Sequence, residues 1–270
     1  MKLILLGTGN AMVKKCYNTC FALQADSGEW TLVDAGGGNG ILAQADKAGL
    51  DFKNLHHLFV THAHTDHVLG VIWVIRAVAT LLNKGAYAGT LTIYCHEELR
   101  ALLEQFCQAL FPPKLLRHLG AGIVLREIRP GDRLSLPESE WTVFDICSTK
   151  ARQFGFQARL EDGQVLTCLG DEAYAPVSRD YVLGCDWLLT EAFCLYADRD
   201  IFKPYEKHHS TVRDAAQMAE ALGVKHLVLY HTEDETLSTR KARYTQEAAA
   251  WYHGSIFVPE DLEVIDLTAR

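Results

Sequence analysis

The chain has 270 residues, 49% of them hydrophobic and 22% charged, with a formal net charge of −8. That length is enough for one large domain or two small ones with a substantial core, and the composition excludes a disordered or fibrous protein. The negative balance leaves no global positive field to gather a polyanion such as RNA, and the longest apolar run, 68–82, contains Arg76 and reads as too short to cross a membrane.

Short apolar runs at 3–6, 20–23 and 31–33, separated by Gly, Asn, Asp and Ser, predict a β-meander. The first run breaks at Gly7-Thr8-Gly9, too soon for a signal peptide, and the eight cysteines are scattered without a CxxC pair. Reduced thiols in a cytoplasmic protein are therefore expected. Asp34-Ala35-Gly36-Gly37-Gly38 closes the third strand, with a helix expected over 40–48 and a strand over 58–61. From 68 to about 119 the pattern is mostly helical, interrupted by a strand at 91–94 and a break at Pro112-Pro113. Strands are expected again at 123–125, 141–144, 154–158, 165–169 and 187–189. A helix over 211–222 follows, with Ser210 or Thr211 as N-cap, then a strand over 226–230 and a helix over 240–251. Nothing in the sequence reads as a linker, so a single domain spanning 1–270 is expected, with a helical insert at about 68–118. The apolar run of that insert needs a partner surface, either the substrate pocket or the face of a homodimer.

Four metal-capable side chains fall within six residues in Thr61-His62-Ala63-His64-Thr65-Asp66-His67. Imidazole and carboxylate at this density suit zinc, and also manganese or iron. His62 and His64 are two apart, where a helix-borne pair would be four apart. That spacing suits a loop leaving a strand end, with Asp66 and His67 swung toward a second position, so two adjacent divalent ions are expected. Asp171, Glu191 and His231 each stand at the end of an expected strand, and His209 stands at the mouth of an expected helix. The first backbone N–H groups of that helix favour an anion such as phosphate.

The H-x-H-x-D-H motif after an apolar strand resembles the metallo-β-lactamase superfamily of metal-dependent hydrolases. The resemblance implies an α+β fold, a four-layer αββα sandwich with the metals at one sheet edge. It implies that His62 and His64 hold metal one, that Asp66, His67 and His231 hold metal two, and that Asp171 bridges them. The family's remaining histidine on metal one precedes an F-G-[FY] strand, here Phe154-Gly155-Phe156, but the run 146–153 contains no histidine. Cys147 is the expected replacement, since thiolate is a good zinc ligand, with Asp145 or water as alternatives.

Leu6-Gly7-Thr8-Gly9, Glu191-Ala192-Phe193 and His209-Ser210-Thr211 further resemble the ribonuclease Z branch, phosphodiesterases that process tRNA 3′ ends. This implies that Glu191 and His209 form a pair beside the metals, with His208 a bystander. Asp66, His209 and Glu191 are thus the expected catalytic residues, His209 protonating the departing oxygen while Glu191 holds its ring. Asp34 is expected to organise the site from behind the ligands, and Lys150, Arg152 and Lys207 to contact phosphate. Ribonuclease Z carries a long tRNA-gripping arm where this chain has only a hairpin turning at Glu161-Asp162-Gly163. That counts against tRNA and favours a small phosphodiester or nucleotide-type substrate. A lactonase, a thioesterase or a catalytically weak metal-binding sensor are the alternatives on the same scaffold.

Overall fold

The computed structural model of the chain describes residues 1–268. Its first half forms β1 (Lys2–Gly7), β2 (Cys20–Gln24), β3 (Trp30–Val33), β4 (Leu55–Phe59), β5 (Leu91–Cys95) and β6 (Ile123–Glu127). The second half forms β7 (Arg133–Leu136), β8 (Ser139–Asp145), β9 (Phe154–Leu160), β10 (Val165–Cys168), β11 (Trp187–Glu191), β12 (His226–Tyr230) and β13 (Ser255–Phe257). A last strand, β14 (Val264–Asp266), returns to pair with β1. Two seven-stranded sheets result, ordered β14-β1-β2-β3-β4-β5-β6 and β13-β12-β11-β10-β9-β8-β7.

Both faces of each sheet are covered, which explains the unbroken apolar runs. In β1, Leu3 and Leu5 join the core between the sheets, whereas Ile4 and Leu6 join the core beneath the helices, as the two-residue period requires. Phe59, Trp141 and Phe156 lock the inter-sheet core, the last two stacked with centroids 3.7 Å apart. The first sheet's outer face is covered mainly by α1 (Gly40–Ala48), α2 (Thr65–Asn83) and α3 (Glu97–Leu110), followed by the single turn α4 (Pro113–Leu116). On the second sheet lie two short helices, α5 (Arg179–Val182) and α6 (Arg199–Phe202), and two longer ones, α7 (Val212–Ala221) and α8 (Leu237–Ala249). Of these, α7 and α8 supply most of the outer core. The layers are αββα, as the resemblance implied.

The span 68–118 is woven into the fold, because β5 lies between β4 and β6 and pairs parallel with both. The apolar run 68–82 belongs to the 19-residue α2, which by length and composition could cross a membrane. Val68, Val71, Val74, Ile75 and Val78 instead bury one side of α2 in the core of the first sheet.

The site is positioned by where strands end. β4, β10, β11 and β12 each run parallel to a neighbour and deliver loops to one rim. Two stitches hold the sheets together there. Phe154 N–H donates to the Thr61 carbonyl (3.1 Å), while Asn10 N–H donates to Thr232 O and Thr232 N–H to Thr8 O (3.0 Å each). The turn after β3 is tied to α2 by Ala35 N–H on His67 O (3.1 Å) and Gly70 N–H on Gly36 O (2.8 Å). A Cβ on Gly70 would stand 1.8 Å from the Ala35 carbonyl oxygen, and backbone on both sides cannot yield. Gly70→Ala is therefore expected to lower stability by about 3 kcal/mol in urea denaturation. An unchanged midpoint would refute this account of how the turn and α2 are joined.

Candidate metal centre and catalytic cleft

The motif straddles a strand end and a helix start. His62 lies in the loop after β4, His64 is the extended N-cap residue of α2, and Asp66 and His67 fall in its first turn. The buried carboxylate Asp66 sits well at the positive end of the helix. Asp171 follows Gly170 beyond β10, Gly170 adopting the left-handed backbone (φ 74°) where a Cβ would strike Gln153. His231 follows β12 and is itself left-handed (φ 57°), a strain that the surrounding bonds must hold.

These residues converge. Ligand atoms of His62, His64 and Asp171 form one compact group, and those of Asp66, His67 and His231 a second. Asp171 faces both. Its Oδ1 lies 3.6 Å from His62 Nε2, and its Oδ2 lies 3.5 Å from the Nε2 atoms of His67 and His231.

The histidine tautomers follow from hydrogen-bond bookkeeping. Thr61 donates its hydroxyl proton to Asp34 Oδ2 (2.7 Å), so the 2.9 Å contact with His62 must be Nδ1–H donating to the threonine oxygen. Thr19 likewise donates to the Gly9 carbonyl and accepts from His231 Nδ1–H at 3.1 Å. His67 Nδ1–H donates to Asp34 Oδ2 at 2.7 Å. In all three rings Nδ1 is the donor to the oxygen behind it, which leaves Nε2 as the atom facing the carboxylate of Asp171. His62 Nε2, His67 Nε2 and Asp171 Oδ1 are buried without any hydrogen-bond partner. Buried polar atoms normally find one. Imidazole Nε2 atoms converging without partners on a shared carboxylate are a donor set suited to divalent metal, and the residues present fit such ions.

Asp34 stands behind the cluster. It adopts a left-handed backbone (φ 55°) and accepts the Thr61 amide, the Thr61 hydroxyl and His67 Nδ1–H. Thr19 and Thr61 were not anticipated. Thr61 stands beside the motif, but Thr19 meets His231 across 212 residues of sequence, which no local pattern reveals.

Cys147 stands apart from the cluster. It is exposed, its backbone is left-handed (φ 57°), and its thiol joins none of the ligand groups found among the described residues. Asp145 accepts the Cys147 N–H at 2.8 Å, a tight Asx turn that keeps Cys147 at the surface. Neither residue is brought into the cluster. Arg152 is also turned elsewhere, its guanidinium 5.2 Å above the Phe154 ring, whereas Lys150 and Lys207 line the cleft.

That cleft, about 460 Å³, opens over His64, Asp66, Asp171, His209 and His231. Glu191, wholly buried at the end of β11, accepts the Ser210 N–H at 2.5 Å, and its Oε2 lies 3.7 Å from His209 Nδ1. Neither of those facing atoms has another partner. Burial pushes the Glu191 carboxyl up to about 8 and the His209 imidazole down to about 3, so the pair holds its shared proton on Glu191 at neutral pH. Phe193 stacks on His209 (4.9 Å, 20°) and fixes the plane of its ring. Thr211 caps α7 reciprocally with Asp214, which places Ser210 and His209 just ahead of the helix.

A family model described as a beta-lactamase superfamily domain matches residues 29–232. Ribonuclease Z of an Exiguobacterium species is 25% identical over 313 residues, covering 97% of this chain and 98% of that protein. Among solved structures, the metallo-beta-lactamase fold protein YhfI from Bacillus subtilis aligns with a TM-score of 0.77 at 18% identity, covering 98% of both chains. A diphosphatase from the PhnP family aligns with a TM-score of 0.75 at 18% identity, covering 98% of this chain and 97% of that one. At these identities the two structures carry the fold.

Two outcomes test the geometry. Asp34→Asn removes the acceptor that orients His67 and should weaken zinc binding roughly 10–100-fold in a chelator competition. Cys147→Ser should leave both stoichiometry and affinity unchanged. Loss of an ion in Cys147→Ser would restore the thiol to the ligand set.

Proposed function

The chain belongs to the β-lactamase superfamily, and on that premise we propose that it is a binuclear metal-dependent phosphodiesterase acting on a small phosphodiester or nucleotide-type substrate. His62, His64 and Asp171 would hold one ion, and Asp66, His67, His231 and Asp171 the other. Zinc suits this histidine-rich set best, and manganese or iron would fit it. When bound, such ions would lower the pKa of water and neutralise charge on the phosphate oxygens.

The observation that carries the reading is the Glu191–His209 pair, two partnerless atoms 3.7 Å apart at the lip of the ligand cluster. Cleaving a phosphodiester with an alkyl leaving group needs a proton donor at the departing oxygen, whereas a lactone or thioester can be opened without one so placed. With Nδ1 turned to Glu191, His209 has Nε2 left for the cleft. As Nε2–H passes to the departing oxygen, Nδ1 takes the Glu191 proton, so charge and protons balance. Substrate closure would shorten the contact. Lys150 and Lys207 line the same cleft and supply positive charge for a phosphate.

The ribonuclease Z relatives support phosphorus rather than carbonyl chemistry. The short hairpin between β9 and β10, closed by Gly163 N–H on Leu160 O (2.9 Å), supports a small substrate over tRNA. Purified protein, stripped of metal and reloaded with zinc or manganese, should hydrolyse bis-p-nitrophenyl phosphate only when loaded. Hydrolysis of carboxylic esters with none of the phosphodiester would overturn the proposal. His209→Ala should lower kcat by about 10²–10⁴ on a dinucleoside monophosphate but far less on p-nitrophenyl diesters, whose leaving group needs no proton. Equal loss on both would end the proton-donor role.

A further inference from the structure

The cleft has a second part that the phosphodiesterase chemistry does not use. Beyond the metal-ligand cluster it is lined by Met12 on the loop after β1, and by Phe202 at the end of α6. The Met12 loop is irregular yet firmly anchored. Asp234 Oδ2 accepts the amides of Lys14 (2.5 Å) and Lys15 (2.6 Å). On its other shoulder Asn10 N–H is held by Thr232 O (3.0 Å), and Asn10 Oδ1 accepts the Met12 amide (2.9 Å). This frame presents a thioether side chain that is 81% exposed at the lip of a reactive site. A single exposed apolar residue is ordinary, but an anchored one sharing a cleft with Phe202 and His209 is a surface waiting for an apolar partner.

The charges around it limit what that partner carries. Lys150 and Lys207 line the cleft, and Lys150 Nζ is fixed by a 3.1 Å bond to the Lys207 carbonyl. Against these stand Glu206, Glu233, Asp234 and Glu235 on the same lining. One phosphate can be met by the lysines, whereas a run of phosphates would be forced past the acids.

We propose that Met12 and Phe202 form a specificity surface for a planar aromatic group of the substrate, beside a single phosphate. Methionine is suited to this, since its flexible thioether adapts to the face or edge of a ring. The inference rests on the phosphodiesterase reading for the phosphate and adds the organic group that the site selects.

Calorimetry on the zinc-loaded protein with product-like anions tests it without turnover. Phenylphosphonate should bind roughly tenfold more tightly than methylphosphonate, from the ring area buried. Adenosine monophosphate against ribose 5-phosphate separates a nucleobase from a simple aryl ring as the natural occupant. Met12→Ser, at an exposed position and so expected to fold, and Phe202→Ala should each reduce the phenyl preference toward unity while methylphosphonate binding holds. A preference that is absent in the parent, or that survives in both variants, would overturn the proposal, as would failure of every anion to bind. Hydrolysis of bis-p-nitrophenyl phosphate by the same preparation keeps the two readings apart. Turnover without phenyl preference sinks only the aromatic surface, whereas a phenyl preference without turnover under any metal sinks the phosphodiesterase reading.

Discussion

The carboxylate of Asp34 is the constraint on which the ligand cluster depends. One side chain, on a backbone most residues avoid, accepts the Thr61 amide, the Thr61 hydroxyl and the His67 ring. Through Thr61 it also dictates the tautomer of His62, because a hydroxyl that gives its proton to Asp34 can only accept from His62. Two histidines of the cluster are thus set by a single acceptor. The arrangement is costly in isolation, since a left-handed non-glycine residue and a buried carboxylate both oppose folding. The glycines after Asp34 and the two bonds from the turn to α2 hold it in place. The energy released by burying the apolar face of α2 is what keeps the turn, and hence the ligands, from relaxing.

Legibility in the sequence followed how local each interaction is. His62, His64, Asp66 and His67 are contiguous, so their grouping was visible at once, and the structure places them across a strand end and a helix start as their spacing implies. Asp171 and His231 were reachable because each follows a readable apolar strand. The bounds of α1 and β12 match the expected ones, while β4 begins at Leu55, earlier than expected, because the half-buried His56 and His57 disguised its start. The edge strands β7, β13 and β14 were not foreseen. They are three or four residues long and partly exposed, so they leave no apolar run to read.

Cys147 shows the limit of reasoning by substitution. A missing histidine invites the nearest soft ligand, but side-chain chemistry does not say where a loop points. The Asp145 turn settles that locally, and its effect is visible only with the backbone in place. Thr19 shows the converse. Its role needs no special residue type, only an oxygen whose proton is already committed to Gly9, and it reaches His231 from the other sheet. Hydroxyls that fix a tautomer carry no motif.

Glu191 carries the sandwich's logic from binding to chemistry. Because β11 lies between β10 and β12, the residue at its end is buried on every side, and a carboxyl there resists ionisation. The same burial raises the pKa of the Glu191 carboxyl beside His209, on which Phe193 stacks. An apolar residue at 191 would remove one partnerless atom, Glu191 Oε2, but would leave His209 Nδ1 unmet and take the acceptor from the Ser210 N–H. The strand order that brings Asp171, Glu191 and His231 to one rim is therefore also what sets the protonation of the middle one. The placement of the His/Asp cluster and the burial of Glu191 are two consequences of the same sheet edge.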